Sequence, residues 1–285
     1  MAEKILIASD STSDLNPELI ERYGIKILPL GVALGQTQYT DGVDITPEDI
    51  YANYEKTGTL PKTSAVNVAA FEEFFRTYTA EGYTVLLFTI SAEMSSTYQN
   101  ACVAAADFER VFVIDTRNLS TGGGLLVCAA GDMVAEGKSA EEIVQRCKEL
   151  TASVDASFVI NSLEFLHKGG RCSALAKFGA NMLQLKPCIV VRDGKMSVGK
   201  KYRGRFADVL TKYVADQVGD ASDIDTDRIF ITHAGCAPEI YGACVDAVKS
   251  IGVFRDIQIT RAGCTISSHC GRDTLGVLFI RKKPL

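Results

Sequence analysis

Apolar runs and polar breaks follow one another along this chain so that strands and helices are predicted in turn. The stretch Thr84–Gln99 shows it most clearly. Val85-Leu86-Leu87-Phe88 is a continuous apolar run of the length expected for a strand buried on both faces. Hydroxyls follow at Thr89, Ser91, Ser95, Ser96 and Thr97, and apolar positions then recur at helical spacing through Tyr98, Cys102, Ala105 and Ala106. Before it, Lys4–Ser9 predicts a first strand, Asn16-Pro17-Glu18 a short helix ending at Gly24, and Ile25–Leu34 a second extended run. Asp41-Gly42 predicts a turn, Thr46-Pro47-Glu48-Asp49 a helix start, Pro61-Lys62-Thr63-Ser64 a loop, and Asn67 the cap of a helix over Val68–Thr79. After it, Arg110–Ile114 reads as a buried strand and Ser120-Thr121-Gly122-Gly123-Gly124 leads into a helix reaching Glu136. Gly137 stands at that helix's end, and Ser139 with Glu142 forms the capping box of the next.

From about Ser157 the alternation becomes irregular. A short strand (Ser157–Ile160) precedes Leu163–Gly170, which runs into Lys168-Gly169-Gly170-Arg171, and a helix is predicted over Ser173–Leu183. Pro187–Arg192 and Lys195–Val198 flank Asp193-Gly194 as a hairpin. Helices over Arg205–Val218 and Pro238–Ser250 alternate with strands over Arg228–Thr232 and Phe254–Thr260. A Gly-rich loop, Gly263–Gly276, contains His269 and leads into a last strand, Val277–Ile280. The expectation is an α/β protein: an N-terminal, mainly parallel, doubly wound sheet domain over residues 1–155 and a C-terminal α+β domain over 156–285. Polar clusters at Ser9-Asp10-Ser11, Thr89–Ser95 and Asp115-Thr116 fall at the carboxyl ends of strands, the edge where open α/β sheets bind ligands.

Composition narrows the classes. A net charge of −5 without a long basic run argues against nucleic acid as a partner. No apolar run reaches membrane-spanning length, which predicts no membrane anchor, and the first residues enter a strand pattern directly, which predicts no secretory signal. The nine cysteines are odd in number, form no C-x-x-C pair and mostly sit in apolar stretches, so reduced thiols and a cytoplasmic location are expected.

A strand that feeds a Ser-rich turn opening a helix brings hydroxyls and unpaired backbone N–H groups to one point, which suits an anion; the competing reading is an ordinary serine cap. Other motifs fall away on inspection. Gly137-Lys138-Ser139 has its upstream Gly131 one residue too far for a phosphate loop and lies between two helices. Gly122-Gly123-Gly124 lacks dinucleotide spacing, no G-x-S-x-G elbow occurs, and Cys264, His269 and Cys270 are awkwardly placed for a metal. A Ser95/His269/Asp10 triad can be written down, yet three histidines in any chain allow such a list. His167 and His233 read as a helix-surface and a strand-end residue. What remains is a set of neutral hydroxyls, Thr63, Ser64, Ser95 and Ser96, and the imidazole of His269. They suit a carboxylate or a phosphate, and without a committed nucleophile–base pair the chemistry is capture more than turnover. Two competing readings stay open: a Ser/His-assisted acyl or phosphoryl transferase acting alone, and a structural or regulatory interaction protein.

The same residues carry a resemblance. Asp10-Ser11-Thr12-Ser13-Asp14-Leu15 resembles the opening D-S-T-x-D-L of the DegV family, Pro61-Lys62-Thr63-Ser64 its P-x-T-S loop, and Ser95-Ser96-Thr97-Tyr98-Gln99 its S-G-T-Y-Q segment. Asp115-Thr116 with Ser120-x-Gly122, Lys168-Gly169-Gly170-Arg171, Lys186-Pro187, Lys201-x-Arg203, His233-Ala234-Gly235 and His269-Cys270-Gly271 with Gly276 are similar to its later motifs, in order, over nearly the whole chain. The resemblance implies a two-domain fatty-acid-binding protein of bacterial cytoplasm, with the acyl chain in a buried tunnel between domains and its carboxylate at Thr63, Ser64, Ser95 and His269. It further implies presentation of the acid to a separate fatty acid kinase for acyl-phosphate formation and phospholipid synthesis, with no cofactor of its own. Arg171, Lys201 and Arg203 match family positions placed to contact the headgroup or the kinase. Burial of each methylene is worth about 0.8 kcal/mol, so a long tail supplies more than roughly 10 kcal/mol before ordering costs, and the headgroup pocket need only orient. The sequence departs from the family pattern at Ser96, Ala65 and Val66, and at Arg272-Asp273, where Arg272 is expected either to add an anion contact or to pair with Asp273.

Overall fold

The computed structural model describes residues 3–172 and 185–285; the helix expected over Ser173–Leu183 lies outside the described residues. The chain starts with β1 (Ile5–Asp10) and α1 (Pro17–Tyr23), the latter capped by the Asn16 side chain. Ile25–Leu34 is two strands, β2 (Lys26–Leu28) and β3 (Gly31–Leu34), in different sheets, because Pro29 lacks the N–H that a continuous ladder needs. After β4 (Thr37–Thr40) comes α2 (Pro47–Thr57), opened by a Thr46/Asp49 capping box. Lys62-Thr63-Ser64, expected in a loop, is a strand, β5 (Lys62–Ser64), held by antiparallel pairing with β3. Then follow α3 (Val68–Ala80), β6 (Thr84–Thr89), α4 (Thr97–Ala105), β7 (Val111–Asp115), α5 (Thr121–Ala135) and α6 (Ala140–Thr151).

The remainder is β8 (Val154–Ile160), α7 (Glu164–Gly169), β9 (Leu185–Arg192), β10 (Lys195–Arg203), α8 (Phe206–Val218), β11 (Ile224–Ala234), α9 (Pro238–Ile251), β12 (Asp256–Arg261), α10 (Cys264–Cys270) and β13 (Thr274–Arg281). The stretch around His269, expected as a loop, is therefore the helix α10. Its residues show no helical apolar stripe, and its first turn is held from elsewhere in the chain. The β9–β10 hairpin turns at Asp193-Gly194 with both residues at positive φ, as a tight hairpin of this kind requires.

The described residues form three sheets: an all-parallel one ordered β2-β1-β6-β7, a six-stranded, mainly antiparallel one ordered β10-β9-β8-β13-β11-β12, and a small one ordered β4-β3-β5. Successive side chains of a strand face opposite ways, and the parallel sheet uses this on both sides. Leu86 and Phe88 pack with α5 and α6, while Val85 and Leu87 pack with Phe71 and Phe75 of α3. The larger sheet does the same, with Phe158 and Leu278 toward α5 and Val159 and Val277 toward α8 and α9. Helix α5 thus lies between the two large sheets, and its run from Gly122 to Cys128 is buried without interruption, as expected of a helix apolar all round. The small sheet covers a separate cluster in which Val32, Ile50 and Tyr51 meet Phe165 of α7 and Cys264 of α10. That satellite core brings β5 and α10 together.

Among the described residues, no helix is long and apolar enough to cross a membrane. All nine cysteines are unpaired thiols, and only Cys102 is exposed.

Candidate functional site: an apolar cavity with a neutral polar end

Between these elements lies a cavity of about 320 Å³, within the range of small-molecule sites. Its apolar wall includes Leu30, Ile90, Met94, Phe158, Met196 and Leu278, drawn from both halves of the chain. Thr63, Ser64, Ser95, Ser96, Arg171 and His269 all line the same cavity, although 206 residues separate Thr63 from His269. The small sheet supplies Thr63 and Ser64 through the β3–β5 pairing, Val32 opposite Thr63 and Gly31 opposite Ser64. Helix α10 supplies His269 in its last turn.

The Thr63 hydroxyl lies 2.9 Å from His269 Nε2. Burial, and behind it the charge of Arg171, pushes the imidazole down from 6.5 to about 4, so it is neutral at physiological pH. A neutral ring has one N–H to give and one lone pair to accept with, and His269 Nδ1 is buried without a partner among the described residues. Close packing explains where that atom sits. A Cβ on Gly169 would stand 2.8 Å from Nδ1, so only glycine there lets α7 approach the ring this closely. Arg171 turns one guanidinium nitrogen back onto the Gly169 carbonyl at 3.0 Å and is exposed on its outer side.

Also on the cavity wall, Ser95 Oγ lies 2.8 Å from Thr97 Oγ1 and accepts from the Thr97 N–H at 3.2 Å, so it satisfies a donor in the first turn of α4. Ser96, the residue at the cap position, makes no side-chain cap bond and is exposed. Asp10 is occupied elsewhere: its carboxylate accepts from the Thr12 N–H, the Thr12 hydroxyl and the Ile90 N–H, and burial raises it to about 6. A Ser95/His269/Asp10 relay is therefore not assembled. The hydroxyls and the imidazole on the cavity wall can donate to an anion, and among the described residues Ser95 has no hydrogen bond to a histidine or a carboxylate.

The remaining candidates lie elsewhere. Arg272 does not line the cavity; its guanidinium sits 4.9 Å from the centre of the Tyr51 ring and 3.9 Å from Glu55, and no bond to Asp273 is formed. Lys201 and Arg203 are exposed on β10, an outer strand of the six-stranded sheet among the described residues. His233 stands near the end of β11 as expected, but it also lines the cavity. Its ring stacks on Tyr241 at 4.4 Å, its Nδ1 has no partner among the described residues, and burial, then Arg261, lowers its affinity for a proton. A histidine at the carboxyl end of a strand was the available signal for it. Among the described residues, no three His, Cys, Asp or Glu side chains are placed to hold a metal ion.

Comparison with known proteins places this geometry among relatives. A family described as "Uncharacterised protein, DegV family" matches residues 4–282. A DegV domain-containing protein of Clostridium perfringens (strain 13 / Type A) is 35% identical over 282 residues, covering 98% of this chain and 99% of its own. One of Caldanaerobacter subterraneus subsp. tengcongensis is 32% identical over 288 residues, covering 98% and 100%. Among solved structures, a fatty-acid-binding DegV family protein from Thermus thermophilus superposes with a TM-score of 0.88 at 29% identity, covering 98% of this chain and 99% of that one. A stearic acid-binding protein from Eubacterium ventriosum superposes with a TM-score of 0.84 at 28% identity, covering 98% of each. With nearly every residue from the first strand to the last inside the match, the chain belongs to the DegV family.

Proposed function

We propose that this protein binds a long-chain fatty acid, with the tail in the apolar cavity and the carboxylate against Thr63, Ser95 and His269, flanked by Ser64, Ser96 and Arg171. The bound acid is presented to a separate fatty acid kinase, and this chain contributes no catalytic group. In this reading residues 1–155 and 156–285 are the two domains that enclose the tail, Lys201 and Arg203 face the kinase, and Arg272 packs on Tyr51 rather than serving the headgroup.

The observation that carries the proposal is the neutral Thr63–His269 pair at the wall of an apolar cavity. Uncharged donors orient a carboxylate without the desolvation cost of a buried counter-ion, and they tolerate a phosphorylated product as well as the acid. Two solved relatives above one-quarter identity, from Thermus thermophilus and Eubacterium ventriosum, are described as binding a fatty acid and stearic acid respectively, which supports the class of ligand. The lone-transferase reading has less support, because the Ser95 hydroxyl is engaged with Thr97 rather than with an imidazole.

The test is denaturing extraction of the purified protein followed by mass spectrometry, together with titration of a long-chain acid into delipidated protein. A bound acid is expected, and Thr63→Val or His269→Gln should weaken binding by about ten- to a hundredfold, the worth of one hydrogen bond to a charged group. Folded protein that yields no lipid and binds no added acid sinks the proposal. Turnover of an acyl ester or acyl-phosphate by the isolated chain, abolished in Ser95→Ala, replaces it with the transferase.

A further inference from the structure

Helix α10 has only seven residues and a glycine at its cap position, so nothing in its own sequence satisfies its first N–H groups. Two buried carboxylates from the N-terminal half do so. Asp41 Oδ1 accepts from the Cys264 N–H at 2.8 Å and Asp41 Oδ2 from the Thr265 N–H at 3.1 Å, while Asp14 Oδ1 accepts from the Gly263 N–H at 2.8 Å. A Cβ at Gly263 would stand 3.2 Å from Asp14 and 3.4 Å from Asp41, so the glycine leaves room for both. Neither carboxylate has a cationic partner among the salt bridges formed by the described residues.

Asp41 also reaches the other half of the headgroup site. Its Oδ2 accepts from the Ser11 hydroxyl at 2.9 Å; Ser11 Oγ in turn accepts from the Leu30 N–H at 3.1 Å, and the Asp41 N–H donates to the Leu30 carbonyl at 2.9 Å. Leu30 immediately precedes β3, whose Val32 stands opposite Thr63. In the other direction, Thr265 is one helical turn from His269, on the same face of α10. One carboxylate therefore ties down the helix that carries the imidazole and the strand whose partner carries the hydroxyl.

We infer that Asp41, supported by Asp14, is a positioning residue for the headgroup site: it sets the distance between Thr63 and His269 and thereby the preference for an acid headgroup. The inference rests on the fatty-acid reading above. A role in stability alone explains it poorly, since buried carboxylates without a counter-ion are a costly way to cap a short helix.

The experiment compares a long-chain fatty acid with the fatty alcohol of equal length, which fills the same cavity but brings no anion, on delipidated wild type and Asp41→Asn. The variant keeps the shape but turns one acceptor into an N–H donor facing the helix N–H groups. Expected is a loss of about tenfold in acid affinity, as for one misplaced bond to a charged group, with the alcohol unchanged within error. Equal loss for both ligands makes Asp41 a general fold residue and overturns the inference, as does no change for either. If Asp41→Asn does not fold, Ser11→Ala, which leaves the carboxylate in place and removes its tie to Leu30, must show the same selective loss in smaller measure; no selective loss there overturns it equally. A wild type that does not prefer acid to alcohol defeats the fatty-acid reading itself, whatever the variants do.

Discussion

Two polar clusters join the N-terminal part of the molecule to the C-terminal part, and they are built on opposite terms. Around Arg228 of β11, every guanidinium nitrogen is spent. Nε donates to Asp256 at 2.9 Å, one Nη to Asp132 at 3.2 Å and the other to the Tyr23 hydroxyl at 2.8 Å, while that hydroxyl donates to Asp132 at 2.6 Å. At His269 the hydrogen-bonded pair is neutral, with the exposed Arg171 guanidinium on the same cavity wall, and among the described residues the ring has one polar contact and its second nitrogen has none. Saturated charge fixes geometry and leaves nothing for a ligand. Neutral groups with unspent hydrogen-bonding capacity hold position less firmly and remain available. In the proposed reading the first cluster is a clasp and the second a receptor, and each property can be removed without the other.

The largest effect is expected at the clasp. Arg228 is 13% exposed and Asp256 24%, so Arg228→Met strands a largely desolvated carboxylate, while the Tyr23 hydroxyl keeps its bond to Asp132. Loss of one partner from a buried pair costs about 3–5 kcal/mol, and half-exposed Asp132 can recover solvation, so a loss of about 2–4 kcal/mol in chemical denaturation is expected. Fatty-acid affinity of the folded variant should stay within about twofold, because distant sites act additively. A comparable fall in affinity would mean that the two clusters form one coupled unit, and the contrast drawn between them would fail.

The clasp and the receptor also differ in how far the sequence announces them. Local signals were plain throughout. Asn16 and Asn67 cap their helices, Thr46/Asp49 and Ser139/Glu142 form boxes, Asp193-Gly194 turns the hairpin, and the apolar run in β6 is buried on both faces. The hydroxyls and the imidazole of the cavity stood out as residue types, and the resemblance grouped them. Their supports were hidden for one physical reason: each depends on a partner far away in sequence. β5 is a strand only because β3 pairs with it, and α10 is a helix whose cap comes from residues more than two hundred positions earlier. Tyr23, Asp132, Arg228 and Asp256 likewise show no common pattern, since four unrelated elements bring them together. Local propensity reads the elements, and only the fold reads the contacts between them.

A smaller change sharpens the receptor side. Gly169→Ala places a methyl group 2.8 Å from the unpaired nitrogen of His269, so the ring must turn or α7 must withdraw. The ring is the softer of the two, and its motion breaks the 2.9 Å contact with Thr63. Alanine suits a helix better than glycine, so thermal stability should hold or rise slightly while acid affinity falls by about tenfold, one bond's worth. Equal affinity in Gly169→Ala would show that the His269 ring orientation is immaterial to binding.

The smallest expected effect is a difference in pH dependence. His269 titrates near 4 in the folded chain against 6.5 when free. Between those values the unfolded chain holds a proton that the folded chain refuses, so this contribution to stability is complete above 6.5 and is lost as pH falls toward 4. Asp10 works the other way. Its carboxyl is raised from 3.8 to about 6, so the folded chain holds the extra proton in that window, and the contribution is present below 3.8 and lost as pH rises through 6. Burial also raises the Asp14 carboxyl, in the same direction as Asp10, and lowers His233, in the same direction as His269, so the wild-type profile alone does not separate the contributions. Melting temperatures of wild type and His269→Gln across pH 4 to 6.5 separate them. The variant should gain on the wild type steadily as pH falls through the window, with a constant offset above it, and Asp10→Asn should diverge in the opposite direction. A constant offset at every pH for His269→Gln would mean that the imidazole is as free to charge when folded as when unfolded, and the receptor would then be no more neutral than the clasp.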